Sequence, residues 1–319
     1  MASILNHPIF QDAAEARKWV EAALWPDGPV CAHCGVIDCA IKIEGKGGNK
    51  GTKARDGVWT CKACHKQFTV TVGTIFERSH VSLNKWLLCM HLMCASKKGM
   101  SAKQIERMLG VTYRTAWFMC HRIREAMRDG KLTGPLGGAN KVVEVDETWV
   151  GGKAANRKNV IPVKEPVVAL VERDGKMRSQ HVGKVNSRTL RPILEAQLDK
   201  STYVMTDDST VYPPITKDFA GHGTVNHSAQ EYVRGYFYHT NTVENYFSIL
   251  KRGIIGTYHH VSPQHLKRYL AEFDFRYNER IGLGVDDAQR AAKALQGIVG
   301  KRLTYRRIDS ERNQDQTQA

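Results

Sequence analysis

Apolar positions recur at helical spacing over roughly the first 24 residues, where Ala13, Ala14, Ala16, Trp19, Val20, Ala22 and Leu24 sit among charged side chains. Trp25-Pro26-Asp27-Gly28 closes that amphipathic run. A second helical block, from about 82 to 128, comes in three pieces. Ser82 is placed to cap LNKWLLCMHLMCASKKG, with Gly99 as its stop. Ser101 caps AKQIERMLG, and Thr112 opens YRTAWFMCHRIREAMRDG after a turn at Gly110-Val111. Two helices joined by a short Gly-containing turn match the helix-turn-helix signature, whose second helix enters the major groove; an ordinary helical hairpin gives the same pattern. Residues 131–141, with GPLGG at their centre, read as a linker.

After the linker the period shortens from helix to strand. Val142, Val143 and Val145 begin a strand that runs into VEVDETWVGG, and PVVALVERDGKMRSQHVGKV reads as a hairpin turning at Asp174-Gly175. SRTLRPILEAQLD is an amphipathic helix, TYVMTDD a short strand ending in acid, and TVNH a further strand; helices return at about 240–252 and 263–279. Strands followed by alternating helix and strand predict an α/β domain whose mixed sheet is covered by helices. Past Lys301 the chain turns basic and then polar, as a frayed tail does.

Between the first helix and the second block lie Cys31 and Cys34, then, after 26 residues, Cys61 and Cys64. Each CxxC pair falls on a tight turn that aims two thiols at one point. Four sulfurs converging in this way suit a closed, structural Zn²⁺ site, against the alternative of coincidental or redox cysteines. Cys39 is a spare thiol that complicates the ligand assignment, and His33 and His65 are bystanders to a complete Cys₄ set. Cys89, Cys94 and Cys120 fall in apolar helical stretches and read as small buried hydrophobes.

Charge and length narrow the function. The chain has 319 residues, 47 Lys and Arg against 32 Asp and Glu, and a net charge of +15. A polyanion is the natural partner of that surplus, and nucleic acid comes first. Apolar runs fall short of the roughly 20 residues that span a bilayer, and Asp12 and Glu15 stand where a secretory signal has its apolar core, so the sequence reads as cytoplasmic.

Three carboxylates end regular elements instead of decorating a solvated face. Asp146 is at the exit of one strand, Asp207 at the exit of another 61 residues later, and Glu244 in the first turns of a helix that also carries Asn241 and Lys251. Strand ends at one edge of an α/β sheet are where sites collect. Side chains alternate faces along a strand, so one of Asp207 and Asp208 points into the site, and the strand exit favours Asp207. Carboxylates held together on apolar strands repel unless a hard cation such as Mg²⁺ or Mn²⁺ lies between them, and such a site serves in-line phosphodiester displacement. Lys251, nearly two helical turns after Glu244, projects from the same face and is placed to hold a phosphate. Glu244 as an exposed charge near a helix N-terminus is the plainer alternative.

VEVDETWVGGK, VMTDDSTVY and HTNTVENYFSILKRGIIGTYHHVSPQHLKRYLAEFDFRYNER together resemble the three blocks of bacterial insertion-sequence transposases of the IS1595 type, over roughly residues 15 to 285. The resemblance implies an RNase-H-like, retroviral-integrase-like catalytic domain with a DDE triad, preceded by a zinc ribbon and a helix-turn-helix domain. The triad would be Asp146, Asp207 and Glu244, holding Mg²⁺ or Mn²⁺, with Lys251 as the associated lysine and Zn²⁺ on Cys31, Cys34, Cys61 and Cys64. The expected organisation is helix and ribbon at 1–78, helix-turn-helix at 79–130, linker at 131–141, catalytic domain at 142–285, and a basic segment with a polar tail at 286–319. Arg114, Arg122, His239, Asn241 and Arg252 are the expected DNA contacts. The implied activity is cleavage of element ends and strand transfer into target DNA by a homodimer or higher assembly, without a membrane or small-molecule substrate. A DNA-binding regulator derived from a transposase, and a two-metal nuclease without strand transfer, are the alternatives.

Overall fold

The computed structural model describes residues 4–43, 56–128, 134–151, 164–225 and 237–304, which fall into two compact units. Residues 44–55, between the CxxC pairs, and the tail after residue 304 lie outside the described residues.

The first unit contains 1–92, 102–126 and 292–319. The expected N-terminal helix is two helices, α1 (Pro8–Gln11) and α2 (Ala13–Leu24). Asp12 divides them: its extended backbone ends α1, and its carboxylate accepts from the backbone N–H groups of Ala14 and Glu15, capping α2. A small antiparallel sheet follows, β1 (Ala40–Lys42), β2 (Trp59–Cys61) and β3 (Gln67–Phe68), in that order. Then come α3 (Leu83–Ala95), α4 (Ala102–Leu109) and α5 (Tyr113–Met127), close to the three helical pieces read from the sequence. Cys89, Cys94 and Cys120 are buried, as expected of small apolar side chains. The boundary between units falls inside α3, so the ribbon and most of the following helices share one unit instead of parting near residue 78.

The second unit contains 93–101 and 127–291 and is built on a five-stranded mixed sheet. Its strands are β4 (Val142–Gly151), β5 (Lys164–Glu172), β6 (Met177–His181), β7 (Tyr203–Asp207) and β8 (Gly221–Val225), in the order β6-β5-β4-β7-β8. The first three pair antiparallel, and β7 and β8 join in parallel. The last strand begins earlier than TVNH suggests. Gly221 and Gly223 each lie opposite a large residue of β7: a Cβ there would come within 2.3 Å of the Tyr203 ring and 2.7 Å of the Met205 sulfur.

Helices cover both faces. Val143, Val145, Val168, Leu170 and Val204 pack with α6 (Ser187–Gln197) and with Tyr212 and Ile215, the latter in the short α7 (Pro213–Thr216). Val150, Val167, Ala169 and Val171 face α8 (Asn241–Gly253) and α9 (Pro263–Asn278). Residues Val167 to Val171 are all fully buried, which explains why β5 reads as an unbroken apolar run. Helix α8 continues into a π-helical turn, Ile254–Tyr258, and α10 (Asp287–Gln296) follows α9 in a stretch read as a basic tail segment.

The expected linker is in part a packed segment. Leu136 is buried in the core beneath α6, exchanges backbone hydrogen bonds with Gln197 and Asp199, and bridges Leu198. Gly137 and Gly138, at φ +83° and +123°, turn the chain so that their N–H groups reach Glu172 and Thr202. The glycines signalled flexibility by composition, but here they serve close approach.

Edge strand β6 is fastened by α9. Asn278 accepts from Met177 N–H and donates to the Met177 carbonyl, and Asp274 accepts from the N–H and hydroxyl of Ser179 and from the Tyr246 hydroxyl. Burial pushes the Asp274 carboxyl up to about 7 against those three donors. The folded pKa lies above the unfolded value of about 3.9, so the folded state binds the extra proton. This contribution is complete below about pH 4 and is lost as pH rises through 7. Replacing Asp274 by Asn is expected to remove up to about 1.4 kcal/mol per pH unit of that decline between pH 5 and 6.5. Urea unfolding across that range measures it, and identical slopes for both proteins would contradict the argument.

Candidate functional site

Two groups of side chains stand out, one in each unit. In the first, Cys31-Ala32-His33-Cys34-Gly35 and Cys61-Lys62-Ala63-Cys64-His65 fold into matching turns. Gly35 N–H donates to the Cys31 carbonyl and His65 N–H to the Cys61 carbonyl, at 2.9 and 3.0 Å, with Gly35 and His65 both at positive φ. His33 N–H points at Cys31 Sγ, and Cys64 N–H at Cys61 Sγ, each at 3.5 Å. Burial opposes ionisation of both thiols, but these backbone donors prevail and bring Cys31 down to about 7 and Cys61 below its ordinary value.

The four Sγ atoms lie within 4.8 Å of one another, with Cys31 to Cys64 at 3.7 Å and Cys34 to Cys61 at 3.6 Å. Zn–S bonds of about 2.3 Å at tetrahedral angles separate sulfurs by about 3.8 Å, so the spacing and the thiolate chemistry both fit Zn²⁺. Cys39 lies outside the cluster, and its carbonyl accepts from Lys62 N–H. The His33 ring is occupied with the Gln67 carbonyl at 3.1 Å. Trp25, Trp59 and Phe68 pack around the buried Cys31 and Cys61, a small core beside the turns.

In the second unit, parallel pairing of β4 with β7 aligns Glu144 with Met205. Asp146 and Asp207 each lie two residues further along, so they share a level and a sheet face despite their separation in sequence. Helix α8 covers that face and contributes Glu244. Burial pushes the Asp146 carboxyl up to about 7, and the negative charges of Glu147, Asp207 and Glu244 add to the rise. Glu147 N–H, donating to Asp146 Oδ1 at 2.7 Å, opposes it.

Asp207 is half-buried and accepts from Ser209 N–H at 3.1 Å, whereas Asp208 is exposed. Glu244 accepts from the Thr240 hydroxyl at 3.0 Å. Among the described residues, the cysteines are the one group of three or more such ligands gathered within 4.8 Å, so the acids share an electrostatic field without forming a closed cage.

Lys251 and Arg252 are exposed on the last turn of α8, Asn241 is exposed at its first residue, and Arg114 is exposed on α5. Arg122 differs from its expected role. It is buried, and its guanidinium donates to the carbonyls of Ile75, Glu77 and Leu303, so it ties α5 to its own unit and is not turned toward a ligand. His239 is half-buried, with Nδ1 3.2 Å from Glu144 Oε1.

Three further side chains stand beside the acids: Glu147, which strand alternation sets on the opposite face from Asp146, and Glu144 and Tyr212, which sequence reasoning missed. Glu147 accepts from the buried Tyr212 hydroxyl, and its carboxyl is raised by burial and by Asp207. Glu144, fully buried on β4, was passed over because alternation makes it look like one more charge in VEVDE. Tyr212 carried no signal beyond its place after TDDSTV.

Comparison with known proteins places these two groups in one context. Residues 135–278 match the ISXO2-like transposase domain, and residues 11–67 match a transposase zinc-ribbon domain of the same IS1595 group, together more than half of the chain. The chain belongs to the IS1595-type transposases. A protein of Halobacterium salinarum described as an uncharacterized protein in transposable element ISH50 is 28% identical over 238 residues, covering 68% of this chain and 77% of its own. A Drosophila P element transposase, solved as a strand transfer complex, aligns with a TM-score of 0.26 at 10% identity over 69% of this chain; the alignment spans 64% of that protein. No helix among the described residues is long and apolar enough to cross a membrane.

A transposase zinc ribbon of this geometry is expected to purify with one zinc per chain by atomic absorption. Replacing the buried Cys61 by Ser should remove that zinc and lower the melting temperature of the first unit. Full zinc content in the variant would overturn the Cys₄ assignment.

Proposed function

We propose that this chain is an active DDE transposase that cuts DNA at the ends of an insertion sequence and joins the released 3′-hydroxyl to target DNA. The observation that carries the reading is the field at Asp146. Burial raises the proton affinity of Asp146, and the negative charges of Glu147, of Asp207 on β7 and of Glu244 on α8 add to it, a burden that hard, oxygen-liganded cations such as Mg²⁺ or Mn²⁺ would relieve. The strand order β6-β5-β4-β7-β8, three antiparallel strands continued by two parallel ones, supports an RNase-H-like reading of the domain.

Asp146, Asp207 and Glu244 are the residues that would hold the cations, by carboxylate oxygens alone. Bound there, such ions supply an activated water or 3′-hydroxyl and stabilise the leaving oxygen of an in-line displacement. The protein's own contribution is placement. Asp146 is fixed by its antiparallel pairing with β5 and Asp207 by its parallel pairing with β8, and Glu244 is carried by a helix whose apolar face is buried in the sheet core. Lys251, Arg252 and Asn241 present donors along the exposed side of α8, where they would bind phosphates flanking the scissile bond. Arg114 on α5, in a helix pair with helix-turn-helix spacing, and the ribbon would hold the element end, with the net charge of +15 supplying sequence-independent attraction.

Asp146→Asn removes one ligand charge and leaves the basic surface intact. Metal-dependent nicking and joining of DNA that carries the element ends should fall by roughly 10²–10³-fold, the scale of losing one strong electrostatic contact in a transition state. DNA affinity measured without metal should stay within about two-fold. Wild-type protein that binds ends tightly but never cuts would support a regulator instead; cutting without joined products would support a nuclease.

A further inference from the structure

Helix α8 begins without the cap that helices ordinarily supply for themselves. Its N-cap residue, Thr240, makes no side-chain bond to the first-turn backbone, and its hydroxyl donates instead to Glu244 Oε1 at 3.0 Å. The orphan donors are satisfied from the sheet. Glu144 Oε2 accepts from Thr242 N–H at 2.8 Å and Val243 N–H at 3.0 Å, and Glu144 Oε1 accepts from the Thr242 hydroxyl at 2.9 Å. Arg173 completes the joint: Nε donates to Glu144 Oε1 at 2.7 Å, while its two terminal nitrogens donate to the carbonyls of Phe237 and His239, each at 2.8 Å.

We infer that Glu144 is a positioning residue for the proposed reaction: its carboxylate pins the first turn of α8 to β4 and so sets where Glu244 stands relative to Asp146. Glu144 and Asp146 lie on the same face of one strand, two residues apart, and Thr242 and Glu244 lie two residues apart on the helix. A single bonded joint therefore links two of the three acids through short, stiff connections. Glu144 is fully buried and its acceptor oxygens are taken up by the helix start and Arg173, so it acts through Glu244 and not on substrate. The inference rests on the reading of Glu244 as a metal-binding acid.

Mn²⁺ binding to the purified full-length chain, followed by calorimetry and by the loss of the free-ion electron paramagnetic resonance signal, tests it without relying on turnover. Five proteins are compared: wild type, Glu244→Ala, Glu144→Gln, Glu144→Asp and the Glu144→Gln/Glu244→Ala double variant. Glu144→Gln should weaken Mn²⁺ about ten-fold, the scale of losing an outer partner of a metal ligand. Glu144→Asp, which keeps the charge but shortens the reach by one methylene, should weaken it comparably. The double variant should bind no more weakly than Glu244→Ala alone.

Wild-type affinity in Glu144→Asp beside a loss in Glu144→Gln would show that only the charge matters and would overturn the positioning role. So would losses that multiply in the double variant. Unchanged binding in Glu244→Ala would sink the metal-binding reading of Glu244 and this inference with it, whereas a loss there with none in Glu144→Gln would sink this inference alone. If Glu144→Gln does not fold, Thr242→Val removes one bond of the joint while keeping the side chain's shape. A two- to three-fold weakening supports the role, and wild-type affinity contradicts it.

Discussion

Strand β4 carries carboxylates into a sheet that is covered on both faces, and most of the second unit is arranged around that burden. A buried acid is costly unless it is paired, bonded or neutralised. Glu144 is fully buried and meets the cost with Arg173 and the start of α8. Removing one partner of such a pair costs roughly 3–5 kcal/mol, so the joint is among the strongest local constraints in the domain. Asp146, two residues on, has one backbone donor and three negative neighbours instead. The same strand thus holds one acid that is fully compensated and one that is not. The first has the bonding of a structural group, and the second is left with its proton affinity raised by burial and by its neighbours.

That contrast also explains why the zinc site and the acids differ in geometry. The four thiols accept from backbone donors on two short turns and stand at metal-ligand spacing. The carboxylates sit on elements fixed by core packing, and at Asp146 burial and the neighbouring negative charges outweigh its one backbone donor. The cysteines and the acids thus represent opposite solutions to the same problem of gathering charge.

Much of this was legible in the sequence where a physical requirement left a short-range pattern. The CxxC pairs fixed the zinc ligands because two turns must each present two sulfurs. The exit of TYVMTDD located Asp207, the last residue of β7, whereas Asp146, read as a strand exit, lies mid-way along β4, which continues through ETWVG because its partner β5 pairs with it as far as Gly151. What escaped was set by partners distant along the chain. Arg122 reads as one of several cations on a helix, and only the fold brings the carbonyls of Ile75, Glu77 and Leu303 around it. Leu136 lies in a glycine-rich stretch, and its burial depends on a strand and a helix more than 50 residues later. Glu144 looked like an alternating charge until α8, 97 residues on, came down on it.

The fastening of β6 by α9 has a consequence for the behaviour of the protein in crowded solution. An outermost strand normally exposes a row of unpaired N–H groups on which a strand of another chain could align. Along β6 the outward donors at Met177 and Ser179 are already taken by Asn278 and Asp274, and the Met177 carbonyl is taken as well. The chain therefore occupies much of this side of its sheet with side chains of its own, which leaves a strand of a second molecule fewer ladder bonds to make there.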